Sequence, residues 1–128
     1  MSIATYIKTA DWKTEKHAPV IDAPATVTSG VPFDVEVSVG KEIPHPNTIE
    51  HHIAWIALYY VPEGGLFPIE LGRAEFAAHG TVCTAPIAKF SVMLDKPGTL
   101  RAVAYCNLHG LWEEEKQIAV GFSGSGER

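Results

Sequence analysis

The sequence predicts an all-β chain, a seven-stranded immunoglobulin-like antiparallel β-sandwich, on three observations. Turn-forming residues punctuate it at Ser29-Gly30, Gly40, Pro62-Glu63-Gly64-Gly65, Gly80, Lys96-Pro97-Gly98 and Gly110, at intervals that suit strands and leave little room for long helices. Phe33, Val35, Val37 and Val39 alternate with Asp34, Glu36 and Ser38, the period of a strand with one dry face. The run Ile53 to Val61 is apolar at both parities, rich in aromatics and stopped by Pro62, which reads as a central strand covered on both sides.

Between these turns the strands fall in order. Residues 24–28 precede the Ser29-Gly30 turn, 33–39 carry the alternation, and 53–61 form the core strand. Residues 67–77 lie between Gly65 and Gly80, 85–94 between Gly80 and Lys96-Pro97, 99–106 between Gly98 and Gly110, and 112–120 follow Gly110. About seven short strands is the number expected of an immunoglobulin-like sandwich. With 128 residues, 46% of them hydrophobic, the chain supplies one core and is too short for two ordinary domains. Residues 1–120 are expected to form a single domain, and the Gly/Ser-rich residues 121–128 a flexible C-terminal tail.

A net charge of -5 argues against a nucleic-acid partner, because phosphate neutralisation needs a basic stripe. Residues 1–10 lack the apolar core of a signal peptide, and no later stretch approaches the ~20 apolar residues that span a bilayer. The reading is a cytoplasmic protein with no membrane partner. In that compartment Cys83 and Cys106 are expected to be reduced thiols rather than a disulfide.

The chemistry-bearing residues are histidines and one cysteine: Glu15-Lys16-His17, His45-Pro46-Asn47-Thr48-Ile49-Glu50-His51-His52 and Cys106-Asn107-Leu108-His109-Gly110-Leu111-Trp112. A mixed imidazole and thiolate set suits a redox-active iron or copper better than a hard, oxygen-seeking ion. Leu100, Ala102, Ala104 and Cys106 share one parity, so the thiol leaves its strand from the inward face. Gly110 lets the chain reverse after His109, so Cys106 and His109 can reach one ion from the two ends of a turn. His51 and His52 are neighbours on a strand start, where side chains alternate; only one should face the metal, and position alone does not choose. His79, in Ala77-Ala78-His79-Gly80, has no ligand partner nearby and reads as a structural histidine. Trp12, Trp55 and Trp112 read as packing and site-wall residues. Backbone N–H groups from Asn107 to His109 are candidate donors to the sulfur.

The motifs Glu15-Lys16-His17-Ala18-Pro19-Val20-Ile21, Lys41-Glu42-Ile43-Pro44-His45-Pro46-Asn47-Thr48, Glu50-His51-His52, Gly72-Arg73-Ala74-Glu75-Phe76-Ala77-Ala78-His79-Gly80 and Tyr105-Cys106-Asn107-Leu108-His109-Gly110-Leu111-Trp112 resemble the neelaredoxins, the one-iron superoxide reductases. The resemblance runs in order over roughly residues 3–120. It implies one-electron reduction of superoxide to hydrogen peroxide at one mononuclear non-haem iron ion (Fe2+/Fe3+) per chain. By motif position the iron ligands would be His17, His45, His51 and His109, equatorial, with Cys106 axial; the resemblance selects His51 over His52. It further implies that Glu15 closes the sixth position of the resting ferric form and that Lys16 attracts superoxide or protonates the oxygen ligand. A small electron donor such as rubredoxin and a homo-oligomer, tetramer or dimer, are implied as well. The related two-iron desulfoferrodoxins carry a further cysteine-ligated iron near the N-terminus; here no cysteine precedes Cys83, so one iron is expected.

The rival from another class is a blue-copper-like electron-transfer protein, which uses two histidines, one cysteine and a weak axial methionine; here Met93 precedes Cys106 by a whole strand. A closed structural zinc site needs only four ligands, fewer than the candidates present.

Overall fold

The structure, a computed structural model of the chain, describes residues 1–122. A 3₁₀ turn (Ile3–Tyr6) is followed by β1 (Pro19–Asp22), β2 (Thr26–Thr28), β3 (Phe33–Val39), β4 (Ile53–Pro62), β5 (Ile69–Glu75), β6 (Ile87–Val92), β7 (Gly98–Cys106) and β8 (Gly110–Gly121). The eight strands form two sheets, ordered β1-β3-β6 and β2-β8-β7-β4-β5. The all-β sandwich expected from the sequence is therefore present, with eight strands rather than seven. Every pairing is antiparallel except that of β2 with β8, which is parallel.

The added strand and the parallel pair have one cause. The first strand is split: β1 pairs with β3 in the smaller sheet, the chain crosses at Ala23-Pro24-Ala25, and β2 continues in the larger sheet beside β8. Pro24 has no N–H to give a ladder, so pairing breaks there. The two pieces span only 4 and 3 residues, too short for periodicity to reveal.

One apolar cluster joins the sheets, with Val35 and Val37 of β3 facing Ile56 and Leu58 of β4 and Leu100, Ala102 and Ala104 of β7. Burying apolar side chains of this size contributes roughly 1.5–3 kcal/mol each. Strand β4 is interior, but the middle of the larger sheet is β7. The outer face of β4 is covered by side chains: the Arg73 guanidinium lies 4.1 Å over the Trp55 ring, and Trp55 stacks on Tyr105 at 5.7 Å. Gly121 ends β8, so it belongs to the sheet rather than to a tail; residues 123–128 lie outside the described residues. No helix among the described residues is long and apolar enough to cross a membrane.

The strand directions bring the segment before β1, the β3–β4 connection and the β7–β8 turn to one end of the sandwich. These are the three segments that carry the sequence-predicted donors.

Candidate metal centre

Cys106 is the last residue of β7 and is fully buried, as its parity with Leu100, Ala102 and Ala104 requires. It pairs with Ile53 on one side and with Gly110 on the other. Gly110 has φ +84°, a left-handed conformation that glycine adopts without penalty, so β8 starts at once after the turn. The turn brings the exposed His109 back over the thiol, with Nδ1 at 3.7 Å from Sγ.

Four imidazoles close a ring around this point. Neighbouring centroids lie 4.8 Å apart for His17–His45, 4.6 Å for His45–His51, 5.0 Å for His51–His109 and 4.7 Å for His109–His17, while His17–His51 across the ring is 6.0 Å. Adjacent rings are steeply tilted, by 63–75°. Nε2 of His17 and Nδ1 of His109 are 3.1 Å apart. Two nitrogens bound at right angles about 2.1 Å from one ion would be separated by about 3.0 Å, so this edge already has the length of a metal-coordination edge. The ligand atoms of His17, His51, Cys106 and His109 lie within 4.8 Å of one another. His45 is outside that tight group, although its ring occupies the remaining corner.

The outer ring nitrogens set the tautomers. His45 Nδ1 donates to the Pro46 carbonyl at 2.6 Å, leaving the Nε2 lone pair free. His17 Nδ1 donates to Glu15 Oε2 at 2.8 Å, which aims its Nε2 toward His109. Among the described residues, the buried Nε2 atoms of His45 and His51 have no hydrogen-bond partner. Buried polar atoms without partners are rare and destabilising, and inward lone pairs in a nitrogen–sulfur donor set are the arrangement a transition metal satisfies. The residues present therefore fit a metal ion. Burial pushes the His45 pKa down to about 4, and the nearby His17, His51 and Lys16 charges push the same way, against the Pro46 hydrogen bond. The His51 pKa is lowered as well, by burial first and then by His109, His17 and Lys16. Both are thereby kept neutral, the form that binds metal.

Glu15 lies on the outer side of His17. Its Oε1 accepts from the His17 and Ala18 backbone N–H groups, the latter at 3.1 Å, and Oε2 holds the His17 ring. Burial raises the carboxyl pKa, but these hydrogen bonds and the His17 charge outweigh it, so it lies below the ordinary value. Lys16, half-buried, projects its field onto His45 and His51.

Other candidates lie apart from this cluster. His52 Nδ1 bonds the Thr48 carbonyl at 2.9 Å, His79 is exposed beyond the end of β5, and Cys83 is an exposed free thiol 3.3 Å from Asn47 Nδ2. The Asn107 N–H donates to the His52 carbonyl at 3.1 Å rather than to the sulfur. Sequence reasoning placed Trp112 in the site wall; in the structure its ring stacks on His17 at 5.0 Å and 14°, and its Nε1 donates to the His109 carbonyl at 3.2 Å. The Asn107 side chain was missed, because an asparagine in a turn gives no sign of a partner more than fifty residues away.

Known proteins are similar to this chain in sequence and fold. The Desulfoferrodoxin family matches residues 9–115. A superoxide reductase of Pyrococcus horikoshii is 57% identical over 112 residues, covering 88% of this chain and 95% of that protein. The neelaredoxin of Megalodesulfovibrio gigas is 45% identical over 129 residues, covering 94% and 99%. Among solved structures, a putative superoxide reductase from Thermotoga maritima superposes with a TM-score of 0.91 at 46% identity, covering 94% of this chain and 98% of that one. The reduced superoxide reductase (neelaredoxin) from Archaeoglobus fulgidus superposes with a TM-score of 0.81 at 52% identity, covering 89% and 98%. Family match, near-complete coverage and a shared sandwich agree with the site built from the residues, and the chain belongs to the desulfoferrodoxin family.

Proposed function

We propose that this chain is a superoxide reductase, adding one electron and two protons to superoxide to give hydrogen peroxide, at one mononuclear non-haem iron held by His17, His45, His51, His109 and Cys106. The observation that carries the reading is the closed ring of four imidazoles with a fully buried thiol against it. When bound, the iron supplies the one-electron reducing equivalent. Five donors exceed a closed zinc shell, and four histidines exceed the two of a blue-copper site, which leaves iron as the favoured ion.

The chain's own residues divide the remaining work. Lys16 supplies positive charge beside His45 and His51 in a protein of net charge -5, drawing a small anion to the exposed His109 side. Fields of this kind raise association rates by ~10-fold or more. Buried Cys106 keeps its sulfur in a dry wall where donation to the metal is unscreened. Glu15 holds the His17 ring from outside; to close a metal position in the oxidised form it would first give up three hydrogen bonds. A small redox protein such as rubredoxin as donor, a cytoplasmic location and a homo-oligomer complete the proposal.

An electron paramagnetic resonance spectrum after mild oxidation, repeated after reduction, tests it. A high-spin ferric signal that vanishes on reduction supports iron; a copper hyperfine pattern or a silent sample overturns it. In the iron-loaded protein, Lys16→Ala slows superoxide capture with little loss of metal, and unchanged second-order kinetics would remove Lys16 from the mechanism.

A further inference from the structure

We infer that Asn107 is a positioning residue for the metal centre, its side chain replacing a rung of the sheet and fixing the His51 segment against the Cys106–His109 turn. The inference rests on the metal-site reading above. The β4–β7 ladder runs from Pro62↔Gly98 to Ile53↔Cys106 and passes a register shift between Ile53 and Trp55. Such a bulge re-aims the strand, and Ile53↔Cys106 is the last paired rung beyond it. Asn107 carries the attachment on past that rung.

Three hydrogen bonds do so. The Asn107 N–H donates to the His52 carbonyl at 3.1 Å, Oδ1 accepts from the His52 N–H at 2.9 Å, and Nδ2 donates to the Glu50 carbonyl at 3.0 Å. The partners flank His51 on both sides. The His51 N–H is taken up within its own turn by Thr48, at 3.0 Å to Oγ1 and 3.2 Å to the carbonyl. The turn shapes the segment, while Asn107 sets its distance from the thiol. Because Asn107 follows Cys106 directly, any slack in the clamp becomes an error in the separation of His51 from Cys106 and His109. A site of this type tolerates only ~0.5 Å of such error.

The side chain must both accept and donate. Asp keeps the acceptor for His52 but sets a carboxylate oxygen against the Glu50 carbonyl, and Leu keeps the volume with neither bond.

Cobalt(II), added anaerobically to metal-free protein, is the probe, read by its thiolate charge-transfer absorption and by chelator competition for its affinity. Asn107→Leu should lose ~10–100-fold in cobalt affinity with a shifted charge-transfer band, and Asn107→Asp should fall between it and the parent. Gly98→Ala, whose added Cβ would crowd the Val61 carbonyl and Tyr60 at the far end of the sheet, should lower the melting temperature but leave band and affinity in place. That contrast separates positioning from general weakening, and if the Leu variant does not fold the Asp variant carries the test. Cobalt affinity within about twofold of the parent and an unshifted band in the folded variants would overturn the inference, since loss of an outer-shell support should do more. A parent protein that gives no thiolate band would instead overturn the metal-site reading, and the inference with it.

Discussion

Gly40→Ala should damage the metal centre from a distance through backbone geometry alone. Gly40 follows β3 at φ +89°, and a Cβ built there would lie 2.7 Å from the His45 backbone nitrogen, with Pro44 Cα at 3.4 Å and His45 Cβ at 3.5 Å. Ordinary contact starts at 3.4 Å, so the His45 backbone must retreat by about 0.7 Å or the β3 end must twist. The left-handed conformation itself costs an alanine about 1–2 kcal/mol. Gly64→Ala isolates that part, because Gly64 has φ +77° with nothing within 4 Å of its Cβ and lies at the opposite end of β4. Chemical denaturation of metal-free protein should show Gly64→Ala destabilised by about 1–2 kcal/mol and Gly40→Ala by at least ~1 kcal/mol more. In chelator competition, Gly64→Ala should bind cobalt as the parent does, whereas Gly40→Ala should lose ~10-fold or more, since 0.7 Å exceeds the ~0.5 Å tolerance of a preorganised site. Equal losses in the two variants, in both assays, would refute the idea that Gly40 is kept for the His45 approach.

Trp112→Phe keeps a ring over His17 but removes the N–H that holds the His109 carbonyl, and should cost about 1 kcal/mol in denaturation. Cys106→Ser should abolish thiolate charge-transfer absorption in the cobalt-loaded protein while leaving the ring of four imidazoles in place. Metal-free protein should weaken as pH falls from about 6.5 toward 4. The His45 pKa is depressed to about 4 in the folded chain, so the unfolded chain binds the extra proton in that window. Stability from this source is fully present above 6.5 and is lost on acidification by about 1.4 kcal/mol per pH unit for each such proton. His51 adds in the same direction, and a flat denaturation midpoint from pH 7 to pH 5 would contradict both shifts.

What the sequence revealed follows the range of the forces involved. The alternation at Val35, Val37 and Val39, and the parity that puts Cys106 on the dry face, are properties of single strands and hold in the structure. β1 and the parallel pairing of β2 were hidden because the switch between sheets at Pro24 leaves pieces too short to show a period. The choice between His51 and His52 was hidden for another reason. Alternation says that only one faces the site, but the choice is made by the fold of the preceding turn, where the Thr48 carbonyl takes the His52 ring, and by one partner distant in the chain, Asn107, which takes the His52 N–H. Glu15 shows the same limit. Its spacing to His17 was legible, but its engagement with the outer ring nitrogen depends on how the loop turns.

The four candidate histidines are held before any metal arrives, by contacts outside the ring they form. Glu15 and Trp112 fix His17, the Pro46 carbonyl fixes His45, the Thr48 turn and Asn107 fix the His51 segment, and the β7–β8 turn with Trp112 fixes His109. Much of the entropy of assembling five donors is therefore lost in folding the sandwich, and the metal meets rings whose lone pairs already converge. The same economy constrains Glu15. A charge-assisted hydrogen bond contributes about 1.5–3 kcal/mol, so a carboxylate making three of them leaves only for a stronger attraction. If the site holds the proposed iron with four neutral imidazoles and one thiolate, oxidation from Fe2+ to Fe3+ would raise the formal site charge from +1 to +2, which would supply such a change where ferrous iron would not. Glu15 should accordingly stay on His17 in the ferrous state and become a competitor for the metal only after oxidation. Infrared difference spectra should then show a carboxylate shift on oxidation that is lost in Glu15→Gln. A parent spectrum without that shift would keep Glu15 as a support for His17 alone.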